Sequence, residues 1–191
     1  MRLSRKYIGL IIIGILILIF VVYNLTSTPN DYKITSNNMS TNNFVGYGVS
    51  FNFPSDWNLT TDNNGFDSSQ GIIITVSPNE ENDEAPLFEV LIMPNQGMSD
   101  QDAINAAINT STNPSSWHLI SNKTTTVDNI TAYINYFTVD DPAHYTQNMT
   151  LEYVYMVENG TTYTLIVSAP LNEFNNDQAN FNTMINSFKI L

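Results

Sequence analysis

Apolar and polar residues alternate along most of the chain after residue 44, which is the pattern of half-buried β-strands. The pattern predicts strands at 49–53, 71–76, 87–93, 117–127, 130–139, 149–158 and 161–168. Asp128-Asn129 and Asn159-Gly160 have the composition of two-residue hairpin turns. The last four strands should therefore form antiparallel hairpins.

The second hairpin predicts how the sheet is covered. A turn at Asn159-Gly160 pairs Glu158 with Thr161, and this register places apolar side chains on both faces of the strand pair. An antiparallel sheet that is apolar on both faces needs a covering layer on each side, because neither face is suited to water.

Two segments have the spacing of helices. Residues 99–110 begin with a capping box and continue with apolar residues three and four positions apart. The stripe of a second amphipathic helix consists of Phe174, Phe181, Ile185 and Phe188. Together these patterns predict an α+β fold in which a central antiparallel sheet carries helices on both faces, as an α/β/α sandwich.

The N-terminal apolar run, 7–23, has no charge and follows a basic stub, 1–6, that contains Arg2, Arg5 and Lys6. Its length is close to the roughly 20 residues that a helix needs to cross a membrane. A cleaved secretory signal is the alternative, but such signals have a shorter apolar region and end in a small-residue cleavage site. We therefore expect one N-terminal transmembrane helix that serves as an uncleaved signal anchor.

Charge distribution predicts the orientation of this anchor. Basic flanks stay in the cytoplasm, so a polar linker at 24–43 and one domain at 44–191 should lie outside a single-pass cell-membrane protein. Beyond the anchor three lysines oppose all 18 carboxylates, which gives the exported part a formal charge of −15. This charge argues against nucleic acid and anionic lipid as partners. It suits cationic partners or divalent ions, or it serves only to keep the domain soluble.

Cysteine is absent, so disulfides, thiolate metal sites and cysteine nucleophiles are excluded. No P-loop and no G-x-S-x-G or H-E-x-x-H motif occurs either. The stability of the domain must therefore come from its core, and no known catalytic motif points to an enzyme.

Both ends of the predicted domain resemble one known family. The sequence GYGVSFNFPSDW at 46–57 resembles the opening of PsbP-like domains, where a tyrosine-led strand ends in proline and tryptophan. The sequence YTLIVSAP at 163–170, together with Phe174, Phe181 and SFKI at 187–190, resembles the closing strand and helix of that family.

The resemblance implies a central antiparallel sheet with helices on both sides and no enzymatic activity. Photosynthetic members of this family use lysine-rich docking surfaces and cleaved targeting segments. This chain has three lysines beyond a retained anchor, so it looks like a non-photosynthetic, membrane-anchored member. The resemblance rests on scaffold residues and names no partner.

Candidate metal ligands occur in two acidic stretches. Asp140, Asp141 and His144 combine carboxylate and imidazole groups, which zinc accepts together, but a turn explains the Asp-Asp-Pro sequence better because no second ligand pair occurs at a metal-site spacing. The acidic residues at 80–84 could bind calcium but lack the ligand spacing of a calcium loop, and such runs are usually solvated. His118 has no partner near it in the sequence and is interpreted as a surface residue.

Eight N-x-S/T sequons make glycosylation a further prediction for an exported domain. Because asparagine, serine and threonine are abundant, this count is close to what composition alone would give. Asn38 in the linker and Asn159 at a turn are the best candidates, since a glycan needs exposed backbone.

The sequence leaves the function open between classes. The first hypothesis is a non-enzymatic binding or accessory module that contacts a protein or cell-envelope component. The second is a domain that binds a small ligand or a divalent cation. A hydrolase is disfavoured because no nucleophile–base pair is apparent.

Four tyrosines on the predicted strands could line a ligand groove, or they could belong to the core. They are Tyr133, Tyr136, Tyr153 and Tyr155.

Overall fold

The computed structural model describes residues 32–36, 40–62, 71–78, 85–111, 115–142 and 145–191. The stub 1–6, the expected anchor 7–23 and most of the linker lie outside these residues. Among the residues that are described, neither helix is long and apolar enough to cross a membrane. Residues Lys33–Leu191 form one compact unit.

Eleven strands and two helices follow one another in the described part of the chain. They are β1 (Lys33–Ser36), β2 (Thr41–Gly46), β3 (Val49–Pro54), β4 (Trp57–Asp62), β5 (Ile72–Pro78), β6 (Leu87–Pro94), α1 (Asp100–Ser111), β7 (Trp117–Val127), β8 (Ile130–Val139), β9 (Met149–Glu158), β10 (Thr161–Pro170), α2 (Phe174–Ser187) and β11 (Lys189–Ile190). The seven predicted strands and both predicted helices are present. β1 and the start of β2 fall within the stretch predicted as linker.

The strands form two antiparallel sheets. The smaller sheet has the order β1-β2-β3-β11, and the larger has the order β4-β5-β6-β10-β9-β8-β7. Both predicted hairpins are confirmed, and Glu158 pairs with Thr161 as expected. Asp128 and Asn129, like Asn159 and Gly160, have the positive φ angles that two-residue hairpin turns require.

The main core lies between the two sheets and α2. Phe51 of β3 has its ring centroid 5.4 Å from that of Phe88 in β6, across the space between the sheets. Trp57 of β4 meets Phe181 of α2 edge to face, with centroids 6.0 Å apart. These side chains are buried because alternation along each strand directs every second residue to this layer.

The predicted α+β class, an α/β/α sandwich with helices on both faces of a central sheet, is wrong for the residues that the structure describes, and the N-terminal transmembrane helix predicted with it lies outside them. Strands make up 58% of the described residues, and only two short helices accompany them. One face of the larger sheet is covered by the smaller sheet together with α2. The expectation failed because strands 41–46 and 49–54 build a covering layer of their own, and a two-residue period does not reveal which sheet a strand joins.

Candidate functional site

A cleft of about 500 Å³ lies between α1 and the face of the larger sheet that points away from the main core. We call it the helix cleft. Its lining residues are Leu91, Met93, Pro94, Asn95, Gln96, Met98, Ala103, Ala106, Ala107, Trp117, Tyr153, Tyr155, Thr162, Thr164 and Ile166. None of these side chains carries a charge at neutral pH.

One wall of the helix cleft is aromatic. Tyr153 and Tyr155 share a face of β9 because they are two residues apart, and their rings stack with centroids 5.7 Å apart. The indole of Trp117, at the start of β7, lies 5.8 Å from the ring of Tyr153. Burial, and then the neighbouring Tyr155 and Glu89, raise the pKa of Tyr153, so its phenol stays protonated and neutral.

The opposite wall is the side of α1 that faces the sheet. Ala103, Ala106 and Ala107 are three and four positions apart, so they lie on one side of the helix. Their methyl groups fill little volume, which leaves the space between helix and sheet open. A helix with larger residues at these positions would close the cleft with its own side chains.

Asn95 closes one end of the helix cleft and is only 3% exposed. Its Oδ1 accepts a hydrogen bond from Thr162 Oγ1 at 2.6 Å, and its Nδ2 donates to Asp100 Oδ1 at 3.3 Å. Its backbone N–H donates to the carbonyl of Gly160 at 2.8 Å. Asn95 therefore joins β10, the β9–β10 turn and the first residue of α1.

The start of α1 confirms the predicted capping box. Ser99 Oγ accepts from the N–H of Asp102 at 3.2 Å and donates to its carboxylate at 2.6 Å. Gln96 and Gly97, both with positive φ, turn the chain from β6 toward this cap. The local sequence thus determines where α1 begins, and the hydrogen bonds of Asn95 fix the start of α1 against β10.

Replacing Asn95 with alanine is expected to lower the free energy of unfolding by about 1–3 kcal/mol, because the buried Thr162 hydroxyl loses its acceptor. Denaturant unfolding measures the loss. Asn105→Ala, at an exposed position of α1, is the control and should cost under about 1 kcal/mol. Equal losses in the two variants would contradict the role given to Asn95.

A second cleft, of about 720 Å³, lies at the end of the sheet that carries the hairpin turns. Asp100, Asp128, Glu158 and Tyr133 are among its lining residues. Asp128 has a structural role there, since its Oδ2 accepts the N–H of Ile190 at 3.0 Å. Within the described ranges, no three His, Asp or Glu residues come close enough together to hold a metal ion.

On the face of the larger sheet that points toward the main core, Glu152 is buried beside Tyr136 and Lys123. Tyr136 donates a hydrogen bond to Glu152, and Lys123 Nζ lies 5.2 Å from the centroid of the Tyr136 ring. Burial raises the pKa of Glu152, while the Tyr136 hydrogen bond and the Lys123 charge oppose this rise. The folded protein therefore holds the Glu152 proton more strongly than the unfolded chain does.

This proton makes stability depend on pH. Because the folded-state pKa of Glu152 is the higher one, the free energy of unfolding falls as the pH rises above about 4.5 through that pKa. Glu152→Gln removes this loss, so melting temperature should rise more, relative to the unsubstituted protein, at pH 7 than at pH 4. Asp56→Asn, in an exposed turn, is the control. The same difference at both pH values would contradict the prediction.

Of the predicted site residues that the structure describes, only Tyr153 and Tyr155 line the helix cleft. Asp140 is exposed and Asp141 half-buried in the turn after β8, whereas His144 lies outside the described residues, so the predicted zinc site stays a prediction. The acidic stretch 80–84 and Asn38 also lie outside them. His118 is exposed on β7, and Asn159 is exposed at the β9–β10 turn.

Of the four tyrosines considered as groove residues, Tyr153 and Tyr155 line the helix cleft, Tyr133 lines the second cleft and Tyr136 lies beside Glu152. Sequence reasoning missed Trp117, Asn95 and the alanines of α1. The spacing of Ala103, Ala106 and Ala107 along one side of the predicted helix was a usable signal for the alanines. No local pattern marks the burial of Asn95, because its shortest side-chain hydrogen bond joins it to Thr162 in β10.

Solved structures with a similar fold share little sequence with this chain. LpqN of Mycobacterium tuberculosis, a protein involved in cell envelope biogenesis, is 10% identical with a TM-score of 0.57, and the match covers 85% of this chain and 91% of LpqN. Cyanobacterial PsbP of Synechocystis is 13% identical with a TM-score of 0.49, over 87% of this chain and 96% of that one. The Ran-binding protein Mog1p of Saccharomyces cerevisiae is 11% identical with a TM-score of 0.49, over 84% and 96%.

No curated protein matches this chain significantly in sequence. The family model described as PsbP-like protein matches residues 8–190, which is nearly the whole chain. This match agrees with the resemblance at 46–57 and 163–190. The chain belongs to the PsbP-like protein family.

Proposed function

We propose that this PsbP-like protein is a non-catalytic binding module on the outer side of a membrane, and that its helix cleft takes up an uncharged, apolar small molecule. The observation that carries the proposal is the helix cleft itself. Its volume, about 500 Å³, falls within the range of about 300–1,000 Å³ that small-molecule sites occupy. It combines apolar walls with a few polar groups at one end, as such sites do.

The composition of the lining supports binding rather than catalysis. The helix cleft offers threonine and tyrosine hydroxyls but no histidine, carboxylate or lysine side chain among its lining residues. A hydroxyl nucleophile needs an adjacent base to act. The lining therefore suits a ligand that is held and released unchanged.

The placement outside a membrane is supported by the sequence, through the basic stub and the uncharged run 7–23. Because the chain has no cysteine, single introduced cysteines report their location. Asn175→Cys, exposed on α2, should react with a membrane-impermeant maleimide in intact cells, and Ser4→Cys should react only after lysis. The opposite labelling pattern would exclude the proposed orientation.

Uptake of an apolar molecule can be measured at Trp117. Trp57→Phe keeps an aromatic ring against Phe181 and leaves Trp117 as the one tryptophan of the chain. Adding N-phenyl-1-naphthylamine, an uncharged fluorescent probe, should quench Trp117 emission and saturate as the probe enters the helix cleft.

A filled cleft provides the test of location. Ala107→Leu adds a larger side chain inside the helix cleft and should weaken probe binding at least about tenfold. Ala179→Leu makes the same substitution at an exposed position of α2 and should leave binding unchanged. Unaltered binding to the Ala107→Leu variant, or no quenching of Trp117, would overturn the proposal.

A second candidate function, binding of an extended segment of a partner protein, is favoured by β7. This strand ends the larger sheet, and His118 to Thr126 are all exposed. Lys123 lies over the ring of Tyr136 and not along the edge, where charged side chains usually block strand addition. An open edge of this kind is where a partner strand can add.

Photo-crosslinking tests this candidate. When p-benzoylphenylalanine replaces Thr125, it should crosslink a partner protein in membranes. The same photoreactive residue at Asn175 on α2 should not crosslink that protein. A synthetic peptide of the crosslinked segment should then slow amide exchange at Ser121–Val127. Equal crosslinking from both positions, or unchanged exchange, would rule the candidate out.

A further inference from the structure

We infer that the ligand of the helix cleft is a planar, uncharged ring system that carries a hydrogen-bond donor, and not a flexible alkyl chain. The inference rests on the proposed function, since it names the class of molecule that the same cleft would bind. Three features of the lining carry it.

The first feature is the aromatic wall. Trp117 and Tyr153, both half-buried, present aromatic surface to the slot with ring centroids 5.8 Å apart, whereas Tyr155 is only 1% exposed and stacks against Tyr153 with centroids 5.7 Å apart. Tyr153 and Tyr155 are nearly parallel, with 23° between their ring planes. Aromatic pairs gain attraction beyond the area they bury, because their quadrupoles favour offset and edge-to-face contact. An alkyl chain on the same patch gains only the area term.

The second feature is the shape that the opposite wall creates. Ala103, Ala106 and Ala107 line the opposite wall with single methyl groups, which fill less of the space between the walls than longer side chains would. A planar molecule fits such a slot. Met93 and Met98 also line it, and unbranched, polarisable methionine side chains adapt to the outline of a ring.

The third feature is the balance of charge and hydrogen bonding. No charged side chain lines the slot, and burial raises the pKa of Glu89, the carboxyl group that acts on Tyr153, so an ion inside the slot would lose its hydration for little counter-charge. At the polar end Thr162 donates its hydrogen to Asn95 Oδ1, so the lone pairs of Thr162 Oγ1 remain to accept one from a ligand. A neutral ring with a hydroxyl or N–H group satisfies both conditions.

Displacement of N-phenyl-1-naphthylamine by matched competitors tests the inference. 1-Naphthol and 1-decanol have the same number of carbons and one hydroxyl each, so they compare a planar ring with a chain. 1-Naphthol should displace the probe at a concentration roughly tenfold lower than 1-decanol. 1-Naphthoate and N-methylquinolinium, which carry the two charges on similar rings, should displace it more weakly than 1-naphthol.

Thr162→Val tests whether the ligand donates a hydrogen bond to Thr162 Oγ1. This variant should lower the preference for 1-naphthol over 1-methylnaphthalene by roughly fivefold, because only the former donates a hydrogen bond. An unchanged preference would overturn the donor part of the inference.

The outcomes separate this inference from the proposed function. One outcome is that Ala107→Leu abolishes probe binding, while 1-decanol and 1-naphthol displace the probe equally well from the protein with Ala107. That outcome would overturn the planar ligand and leave an apolar binding module. Stronger displacement by either ion would overturn the uncharged ligand. Probe binding that is indifferent to Ala107→Leu would overturn the proposed function and this inference with it.

Discussion

Replacing Phe51 with alanine is expected to lower the free energy of unfolding by about 3–5 kcal/mol. Phe51 is fully buried, and its ring lies 5.2 Å from that of Phe44 in the smaller sheet and 5.4 Å from that of Phe88 in the larger one. Its removal leaves a cavity at the contact between the sheets, which the surrounding strands can fill only in part.

Val45→Ala is the matched control for Phe51→Ala. Val45 lies on the neighbouring strand, β2, but is 38% exposed, so its replacement should cost under about 1 kcal/mol. Urea unfolding of both variants gives the comparison. A loss of about 1 kcal/mol or less in Phe51→Ala would mean that the two sheets do not pack against each other as described.

Replacing Gly71 with alanine should cost about 2–4 kcal/mol, through backbone strain and overlap together. Gly71 has φ of 128°, a conformation that residues with a Cβ rarely adopt. A Cβ at this position would lie 2.9 Å from the carbonyl oxygen of Ile92 and 2.9 Å from Met93 Cγ. The backbone contact cannot be relieved without moving β6.

Gly160→Ala separates the cost of backbone strain from the cost of steric overlap. Gly160 also has positive φ, 73°, but a Cβ there would meet nothing within 4 Å. Its replacement should cost about 1–2 kcal/mol, the strain of a left-handed residue alone. If thermal and denaturant unfolding give equal losses for both variants, the close approach of Gly71 to β6 is incorrect.

Local patterns predicted seven of the eleven described strands and both described helices, but not β1, β2, β4 or β11. The turn at Asn159-Gly160 fixed the pairing of Glu158 with Thr161, because a two-residue turn leaves only one register. The capping box fixed the start of α1 for a similarly local reason. In each case the residues that decide the structure lie within a few positions of one another.

The arrangement of the elements could not be predicted in the same way. The segment 49–54 has the same alternation whether it joins the larger sheet or forms a second one, and only the contact of Phe51 with Phe88 distinguishes the two. The α+β prediction was wrong for this reason. Nothing in the sequence near either phenylalanine records the distant partner.

The helix cleft shows the same limit. Alternation placed Tyr153 and Tyr155 on one face of their strand, but it could not show that α1 lies opposite with alanines toward them. Asn95 was invisible because its hydrogen bond to Thr162 spans 67 residues. A cleft lined by a helix, a turn and four strands appears only when those elements are brought together.

The lining of the helix cleft is uncharged, although the sequence after residue 23 carries a formal charge of −15. Exposed carboxylates such as Asp102, Asp140 and Glu173 lie on the outside of the domain, while the side chains that line the helix cleft are uncharged. An uncharged ring system could enter this cleft without the repulsion that an anion would meet.

Alanine-methyl NMR tests the central claim most directly, because alanines occur both in the helix cleft and elsewhere in the fold. On addition of 1-naphthol, the methyl signals of Ala103, Ala106 and Ala107 should shift with ring-current effects and saturate together. The signals of Ala132 and Ala169 in the main core, and of Ala179 on α2, should stay in place. Shifts confined to those other alanines, or no shift at the three alanines of α1, would contradict the account of the helix cleft as the binding site.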